Sequence, residues 1–212
     1  MEKNINVIIA ALRKMHGEER NELKFGTPLE LVVATVLSAQ CTDERVNRTT
    51  PILFKKYKGF TDYLRVPLEE LEEDIRPTGF FKKKAKAIKN IATEVEERFG
   101  GHIPEDVVAL ATIKGIGRKS ANLIAGIAFR KPAVIVDTHV IRVSNRVGLT
   151  SNKNPEKIEK DLKQKVTEGD WLKFSLLVTL HGRYICLARK PECERCLIRD
   201  YCDYLLGGKA NV

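Results

Sequence analysis

Four cysteines fall within one short segment late in the sequence, with the spacing C-x6-C-x2-C-x5-C. They are Cys186, Cys193, Cys196 and Cys202. Thiolates spaced this closely can enclose one metal centre, which then holds the surrounding chain in a fixed conformation. Structural zinc sites usually combine two short C-x2-C pairs, and only one such pair is present here, whereas iron–sulfur clusters accept the longer spacings. The pattern therefore favours an iron–sulfur cluster, with zinc as the alternative.

The composition indicates a globular protein whose partner is a polyanion. Of the 212 residues, 43% are hydrophobic and 31% are charged, which is ordinary for one or two compact domains. Lys and Arg outnumber Asp and Glu by 37 to 28, and the resulting net charge of +9 favours nucleic acid, although an ordinary basic protein could carry the same charge. No apolar run reaches the ~18 residues of a membrane span. The sequence starts without the apolar core of a signal peptide, so we expect an intracellular protein, in which reduced cysteines bind metal.

The apolar residues follow a helical period along nearly the whole chain. They recur at three- and four-residue spacing in the segments 5–12, 29–37, 46–54, 88–99 and 172–180. Thr27, which precedes a proline, and Asp43 are the expected N-caps of two of these helices, and Gly148 is expected to end a later one. The only run rich in β-branched residues, 133–136, is interpreted as a connector. The sequence therefore predicts an all-α fold.

A second motif predicts two helices joined by a tight turn. A helical start at 104–106 leads to a turn that contains Gly115 and Gly117, and a second helix is expected over 118–129. Glycine in such a turn can adopt backbone angles closed to other residues and lets another backbone approach closely. The free N–H groups at the start of the second helix suit a phosphate oxygen. The motif resembles the helix-hairpin-helix that holds the DNA backbone, although a plain corner between helices would look similar.

Two residues near this motif are candidates for chemistry. Lys119 is expected in the first turn of the second helix, where the positive end of the helix dipole disfavours its charge. A lysine that loses its proton readily can form a Schiff base, although the same position would also suit a simple phosphate contact. Asp137 lies where the connector 133–136 meets the next helix. It is either a helix N-cap or a catalytic carboxylate.

Taken in order, these residues resemble the endonuclease III family. The resemblance rests on the segments 115–122 (GIGRKSAN), 136–140 (VDTHV) and 180–184 (LHGRY), together with the four cysteines. It extends from the segment 37–40 to Cys202 and is most specific in the cysteine spacing.

Members of this family are bifunctional DNA glycosylases and AP lyases of base-excision repair. The resemblance implies that Lys119 is the nucleophile, that Asp137 is its catalytic partner, and that the four cysteines hold a [4Fe–4S] cluster. The chain departs from the usual family pattern at Lys114, where proline is common, and at Ser120, where threonine is common. Neither change is expected to disturb catalysis.

A damaged base in a duplex must be flipped into a pocket, and protein side chains then fill the gap. Gln40 and Phe80 match the family's inserting positions, although Phe80 replaces an aliphatic residue and could instead be a core aromatic. Lys82, Lys83 and Lys84 follow directly and are expected to contact backbone phosphates, unless they form a solvated face. Further expected DNA contacts, in the hairpin and between the first two cysteines, are Lys114, Gly115, Gly117, Arg118, Arg189 and Lys190.

The resemblance implies that the partner is damaged double-stranded DNA and that the substrates are oxidised pyrimidines such as thymine glycol. The abasic strand would then be cut on the 3′ side by β-elimination through a Schiff base on Lys119. One alternative is a monofunctional mismatch glycosylase, whose adenine-specific members lack this lysine. The other is a non-enzymatic iron–sulfur protein that binds DNA. We expect a monomer that has no membrane association and works on the nucleoid in the cytoplasm of a prokaryotic cell.

The resemblance also implies two helical lobes. Residues 21–132 would form a helical barrel lobe that carries the helix-hairpin-helix at about 105–129. Residues 1–20 and 133–212 would form the iron–sulfur lobe, and the active-site cleft would lie between the two.

Overall fold

The computed structural model describes residues 3–207, and every regular element among them is helical, which confirms the all-α prediction. The α-helices are α1 (Ile5–His16), α2 (Pro28–Leu37), α3 (Asp43–Lys56), α4 (Phe60–Arg65), α5 (Leu68–Asp74), α6 (Phe81–Phe99), α7 (Val107–Ala111), α8 (Arg118–Phe129), α9 (Thr138–Val147), α10 (Pro155–Lys165) and α11 (Trp171–Tyr184). Short 3-10 helices lie at Arg76–Thr78, Glu168–Asp170, Cys193–Arg195 and Arg199–Tyr201. All five segments with a helical period lie in helices. Over the range 3–207, no helix is both long and apolar enough to cross a membrane.

The helix ends follow the local sequence with one exception. The Thr27 side chain accepts a hydrogen bond from the backbone N–H of Glu30, and Gly148 ends α9 with a φ of 82°. The prediction that Asp43 is an N-cap was wrong. Thr42, one residue earlier, caps α3 by accepting a hydrogen bond from the N–H of Arg45, so Asp43 lies inside the first turn. A carboxylate there is still stabilised by the helix dipole.

The chain forms two compact units. We call Asn21–Lys131 the hairpin unit, because it contains α7 and α8. We call the combination of Met1–Arg20 and Pro132–Val212 the cysteine unit, because it contains the four cysteines of the C-x6-C-x2-C-x5-C segment.

The hairpin unit is built around α2 and α6. Helix α2 is apolar almost all round, and its residues Leu31, Val32, Ala34 and Leu37 are buried. A helix without a polar face needs neighbours on every side, and α2 contacts α3, α6 and α8. Helix α6 is amphipathic and packs its apolar face against α2, α4 and α5. Helices α7 and α8 pack against each other, which completes this unit.

The cysteine unit is built around α11, which packs against α1 and α9. Its core contains the fully buried residues Leu12, Phe174 and Leu177. Helix α11 comes so close to α9 at Gly182 that a Cβ on this glycine would lie 2.7 Å from the Cβ of His139. Only a glycine permits this approach without a shift of one helix.

Candidate functional site

The turn between α7 and α8 is fixed at both ends by local contacts. Asp106 caps α7, since its Oδ1 accepts hydrogen bonds from the N–H groups of Val108 and Ala109, both at 2.9 Å. In the turn itself, the side chains of Ile113 and Ile116 are buried in the core of the hairpin unit. The turn is therefore anchored by two apolar side chains and leaves its glycines at the surface.

The two glycines of the turn differ in what they require. Gly115 has a φ of 113°, which side-chain-bearing residues rarely adopt, and a Cβ there would lie 3.2 Å from Cγ1 of Ile91. Gly117 has a φ of −82°, which any residue can adopt, and a Cβ there would meet nothing within 4 Å among residues 3–207. The fold explains the glycine at 115. The contacts within the described chain leave the glycine at 117 unexplained.

Helix α8 begins directly after Gly117, which has no side chain to cap it. Lys119 lies in the first turn of α8 and is exposed. Lys114 and Arg118, which were predicted to contact DNA, are exposed beside it. The other face of α8 is buried through Ala121 and Ala125 and packs against α7. The packed face thus holds the N-terminal turn of α8 in place.

Gln40 and Phe80 each follow a helix end and share an unusual backbone conformation. Their φ angles are 52° and 49°, in the left-handed region. Both side chains are exposed, and Phe80 keeps 58% of its surface accessible. The alternative that Phe80 is a core aromatic is therefore wrong. A large apolar side chain at the surface on a strained backbone is typical of a residue that acts on something outside the fold.

The basic run after Phe80 divides between surface and interior. Lys82 and Lys83 are exposed at the start of α6, where they can meet a phosphate. The prediction that Lys84 contacts a backbone phosphate was wrong, because only 4% of its surface is accessible. Its Nζ donates hydrogen bonds to the carbonyls of Leu37 at 2.7 Å and Thr78 at 2.8 Å. A side chain committed in this way is not available to a phosphate.

Asp137 lies at the start of α9 and is partly buried. Its Oδ1 accepts a hydrogen bond from the N–H of Val140 at 2.8 Å, so it is the N-cap. Its Oδ2 accepts a weaker hydrogen bond from Oγ1 of Thr179 at 3.4 Å. One oxygen is thus held by the backbone and the other by a side chain of α11. This arrangement fixes the orientation of the carboxylate and is compatible with both roles that the sequence left open.

The four cysteines of the cysteine unit line one cavity. The pKa of Cys196 is raised to about 11, chiefly by burial and to a smaller extent by the neighbouring thiols Cys186, Cys202 and Cys193, while a hydrogen bond with the backbone of Ile198 opposes the rise. Burial also raises the pKa of Cys202. Buried thiolates that repel one another need cations to offset their charge. Within 3–207, no three metal-binding side chains are grouped to hold a single ion. Four thiolates around one pocket provide the ligand set of a Cys₄ iron–sulfur cluster.

Two arginines of α9 hold the loop that starts with the first cysteine, and the sequence analysis missed both. Arg142 donates to the carbonyls of Cys186 at 3.0 Å and Gly182 at 2.8 Å. Arg146 is buried and donates to the carbonyls of Leu187 at 2.7 Å and Ala188 at 3.0 Å. Its guanidinium Nη1 also lies 3.4 Å from Sγ of Cys186. The spacing of four residues places both arginines on one face of α9, which is a signal the sequence did contain.

His181 lines the same cavity and is paired with His16. His181 is buried, and its Nε2 lies 3.5 Å from Sγ of Cys196, while its Nδ1 lies 3.1 Å from Nε2 of His16. Burial lowers the pKa of His181 to about 4, so the ring is neutral near pH 7. No local pattern could have predicted this pair, because its two members are 165 positions apart in the chain.

The two remaining predicted contacts lie in the loop between the first two cysteines. Arg189 and Lys190 are both exposed, and Lys190 has a positive φ of 55°. They are therefore placed on the surface next to a loop that Arg146 holds rigid.

Comparison with known proteins identifies the class to which this fold and these sites belong. Residues 33–168 match the HhH-GPD superfamily of base excision DNA repair proteins. Residues 186–202, which span the four cysteines, match the iron–sulfur binding domain of endonuclease III. The protein is thus a DNA glycosylase of base-excision repair that carries a [4Fe–4S] cluster, and the zinc alternative is wrong.

The relatives narrow this class to one family. The chain is 43% identical over 196 residues to endonuclease III of Synechocystis sp., covering 92% of this chain and 90% of that protein. It superimposes with a TM-score of 0.92 on a trapped endonuclease III–DNA covalent intermediate, at 37% identity and 98% coverage of each chain. It also superimposes with a TM-score of 0.87 on a thermostable thymine-DNA glycosylase, at 26% identity and coverage of 95% and 96%. The chain belongs to the endonuclease III family.

Proposed function

We propose that this protein removes oxidised pyrimidines from duplex DNA and cuts the resulting abasic strand through a Schiff base on Lys119. The observation that carries the proposal is the placement of Lys119, exposed in the first turn of α8, immediately after a hairpin whose second glycine the fold does not require. An endonuclease III similar to this chain over its whole length has been trapped as a covalent intermediate with DNA. A covalent lysine mechanism is the simplest common explanation.

In this proposal the DNA backbone lies against the hairpin. The N–H groups at the start of α8 and the space above Gly117 suit a phosphate oxygen. The exposed charges of Lys114 and Arg118 add to the attraction, and Lys82 and Lys83 extend it along the start of α6. Arg189 and Lys190 would add phosphate contacts from the cysteine unit. Gln40 and Phe80 would enter the duplex where the damaged nucleotide has left the base stack.

The proposed chemistry has three steps. The Nζ of Lys119 forms a bond to the sugar C1′, while the bond between C1′ and the base breaks and its electron pair leaves with the base. The bond between C1′ and O4′ then breaks, O4′ takes up a proton, and a protonated imine forms between Nζ and C1′. Loss of a proton from C2′ then expels the 3′ phosphate and cuts the strand. Asp137 would accept the proton that Lys119 gives up and offset positive charge on the sugar.

The cluster has a separate role in this proposal. Cys186, Cys193, Cys196 and Cys202 are its proposed ligands, because all four line one cavity. Bound there, the [4Fe–4S] cluster supplies structural rigidity to the loop that carries Arg189 and Lys190. The two compact units would correspond to the helical barrel lobe and the iron–sulfur lobe. A monomer in the cytoplasm of a prokaryotic cell, acting on the nucleoid, fits both the DNA substrate and the bacterial relatives.

Borohydride trapping tests the nucleophile. A duplex with one thymine glycol is incubated with the protein and borohydride, and the amount of covalent adduct between protein and DNA is measured. We expect Lys119→Gln to form no adduct. Lys114→Gln is the matched control, since it removes a lysine of the same hairpin that is exposed in the same way, and it should still form the adduct. An adduct from Lys119→Gln would assign the nucleophile elsewhere.

The same assay separates the competing functions. The likeness to a thymine-DNA glycosylase keeps a monofunctional glycosylase as the second candidate. Such an enzyme would release the base without an adduct and without strand cleavage. A non-enzymatic DNA-binding protein would retain the duplex and release no base.

Asp137→Asn separates the two roles of Asp137. Asparagine is as good an N-cap as aspartate, and its side-chain oxygen can still accept the hydrogen bond from Val140. We therefore expect the unfolding midpoint to stay within a few degrees of the parent while base release slows by about a hundredfold or more, as for loss of a general base. Unchanged base release would leave Asp137 with the capping role alone.

A further inference from the structure

Lys84 is the most deeply buried lysine among residues 3–207, and both partners of its Nζ are neutral. The Nζ donates to the carbonyl oxygens of Leu37 and Thr78, and 4% of the residue is accessible. Burial lowers the pKa of Lys84. Removing an amine from water costs free energy that two neutral carbonyls offset only in part. An apolar side chain would fill the same space at lower cost, so the amine itself must serve a purpose.

The two carbonyls belong to two different turns. Leu37 is the last residue of α2, and Gln40 follows three residues later. Thr78 is the last residue of the 3-10 helix Arg76–Thr78, and Phe80 follows two residues later. Because both oxygens bind one Nζ, they cannot lie further apart than the sum of the two hydrogen-bond lengths. Lys84 therefore fixes the spacing between the turn that ends at Gln40 and the turn that ends at Phe80.

Both turns need such a restraint. Gln40 and Phe80 have φ angles of 52° and 49°, and a non-glycine residue keeps this conformation only where its surroundings hold it. Lys84 contacts the Phe80 turn a second time, since its backbone N–H donates to the Phe80 carbonyl at 3.1 Å. The local hydrogen bonds of the other turn, such as that from the N–H of Cys41 to the carbonyl of Ser38 at 3.1 Å, stay within that turn. They cannot set its distance from Phe80.

We propose that Lys84 is a positioning residue, which holds the Gln40 and Phe80 turns at the separation needed for both side chains to enter the duplex together. This inference rests on the proposed function, in which Gln40 and Phe80 fill the space left by the flipped nucleotide. Lys84 does not touch the DNA. It acts through the two backbone segments that carry the inserting side chains.

The same helix offers a matched control. Lys89 also lies in α6, is partly buried, and donates through its Nζ to two backbone carbonyls, those of Leu64 and Val66. These carbonyls lie at the end of α4, which carries none of the proposed DNA contacts. Lys89→Met thus removes an equivalent pair of hydrogen bonds without affecting either inserting turn. Comparison with Lys84→Met separates the loss of two hydrogen bonds from the loss of turn spacing.

The first experiment requires no DNA. Hydrogen exchange followed by mass spectrometry is measured on the cluster-loaded protein, at the same interval below each variant's unfolding midpoint. We expect Lys84→Met to speed exchange by about tenfold or more in peptides spanning 38–41 and 78–84, with the rest of α6 unchanged, as for a local opening. Lys89→Met should leave those peptides as in the parent. A second variant, Lys84→Gln, is measured in case Lys84→Met does not fold. If the two inserting turns exchange equally fast in Lys84→Met and Lys89→Met, the proposal is overturned in favour of a general role of Lys84 in the core. The same conclusion follows if both Lys84 variants unfold globally while Lys89→Met stays folded.

The second experiment measures coupling during base release. In single turnover on a thymine glycol duplex, Lys84→Met is expected to slow base release by about tenfold to a hundredfold, the scale of a misplaced binding element. In a protein that already carries Gln40→Ala and Phe80→Ala, Lys84→Met should slow base release by less than about twofold, because the two inserting side chains are absent. Equal slowing in both backgrounds would refute the positioning role. If the parent protein releases no base, the proposed function fails, and the exchange result still decides whether Lys84 holds the turns.

Discussion

Gly117 provides the sharpest test of how the hairpin is used, because the fold gives no reason for a glycine there. We predict that Gly117→Ala leaves stability almost unchanged and weakens DNA binding strongly. At a φ of −82°, alanine fits without strain, and its methyl group meets nothing within 4 Å in the described part of the chain. Two small contributions to the free energy of unfolding oppose each other. Alanine is a poorer N-cap than glycine by about 0.5–1 kcal/mol, and the stiffer unfolded chain returns about 0.4–1 kcal/mol.

The effect of Gly117→Ala on the free energy of DNA binding is larger, and no second effect opposes it. In the proposed complex, the methyl group would occupy the space through which a phosphate reaches the first N–H groups of α8. Loss of one hydrogen bond to a charged group costs about 1.5–3 kcal/mol. Since about 1.4 kcal/mol is a factor of ten in affinity, Kd should rise by about tenfold to a hundredfold.

The assay pairs urea denaturation with fluorescence anisotropy on a duplex that contains an uncleavable abasic analogue, at several salt concentrations. Because Gly117→Ala removes no charge, the slope of log Kd against log salt should match the parent. Lys114→Gln should reduce that slope by about 0.9, the value for one lost phosphate contact. Gly115→Ala is the structural contrast. Its φ of 113° and the 3.2 Å approach to Ile91 predict a loss of about 1–3 kcal/mol in the free energy of unfolding.

A loss of more than about 2 kcal/mol from Gly117→Ala would show that the glycine serves the fold, since the cap and entropy terms cannot sum to that value. Unchanged affinity in a stable variant would instead remove the hairpin from the DNA interface. Either result would contradict the assignment of Gly117 to a phosphate contact.

Three further predictions concern packing, the cluster and a helix cap. Gly182→Ala places a Cβ 2.7 Å from that of His139. It should destabilise the protein by about 1–3 kcal/mol, measured by urea denaturation. An unchanged midpoint would show that α9 and α11 can move apart freely. Arg146→Met should lower the iron content and the visible absorption of the purified protein, because two carbonyls of the cysteine loop lose their donor; full iron loading would contradict this. Asp106→Ala should cost about 1 kcal/mol, measured in the same denaturation, because two N–H groups at the start of α7 lose their cap, and a cost near zero would show that α7 does not need it.

The sequence predicts elements well where the signal is local. The bounds of α8 follow from Gly117 before it and the Lys-Pro pair after it, and an N-cap was one of the two roles that the sequence left open for Asp137. Local signals fail where neighbours compete. Thr42 and Asp43 are both good N-caps, and which of them caps α3 depends on which side chain reaches the N–H of Arg45.

Lys84 shows a signal that was present and overlooked. It stands four residues before Ile88 and seven before Ile91, so it lies on the buried stripe of α6 despite its charge. A helical projection of the basic run would have separated it from Lys82 and Lys83. Its partners could not have been predicted, because the carbonyl of Leu37 is 47 residues away and carries no sequence signature. Contacts to backbone carbonyls become visible only when the fold is known.

The cysteine segment and Asp137 depend on the same helix, which gives the cluster a place in catalysis without chemistry of its own. Helix α9 begins at its N-cap, Asp137, and within the next three turns Arg142 and Arg146 donate to the carbonyls of residues 182 and 186–188. The loop that contains the first proposed cluster ligand is therefore bonded to the helix that orients the proposed catalytic carboxylate. Loss of the cluster would remove one of the restraints on this loop and leave the hydrogen bonds from Arg142 and Arg146 as the others. Because Thr179 of α11 holds the second oxygen of Asp137 only weakly, at 3.4 Å, the position of the carboxylate depends chiefly on α9. If Asp137 acts in catalysis as proposed, we expect loss of the cluster to slow base release, because one restraint on the helix that carries this carboxylate is removed.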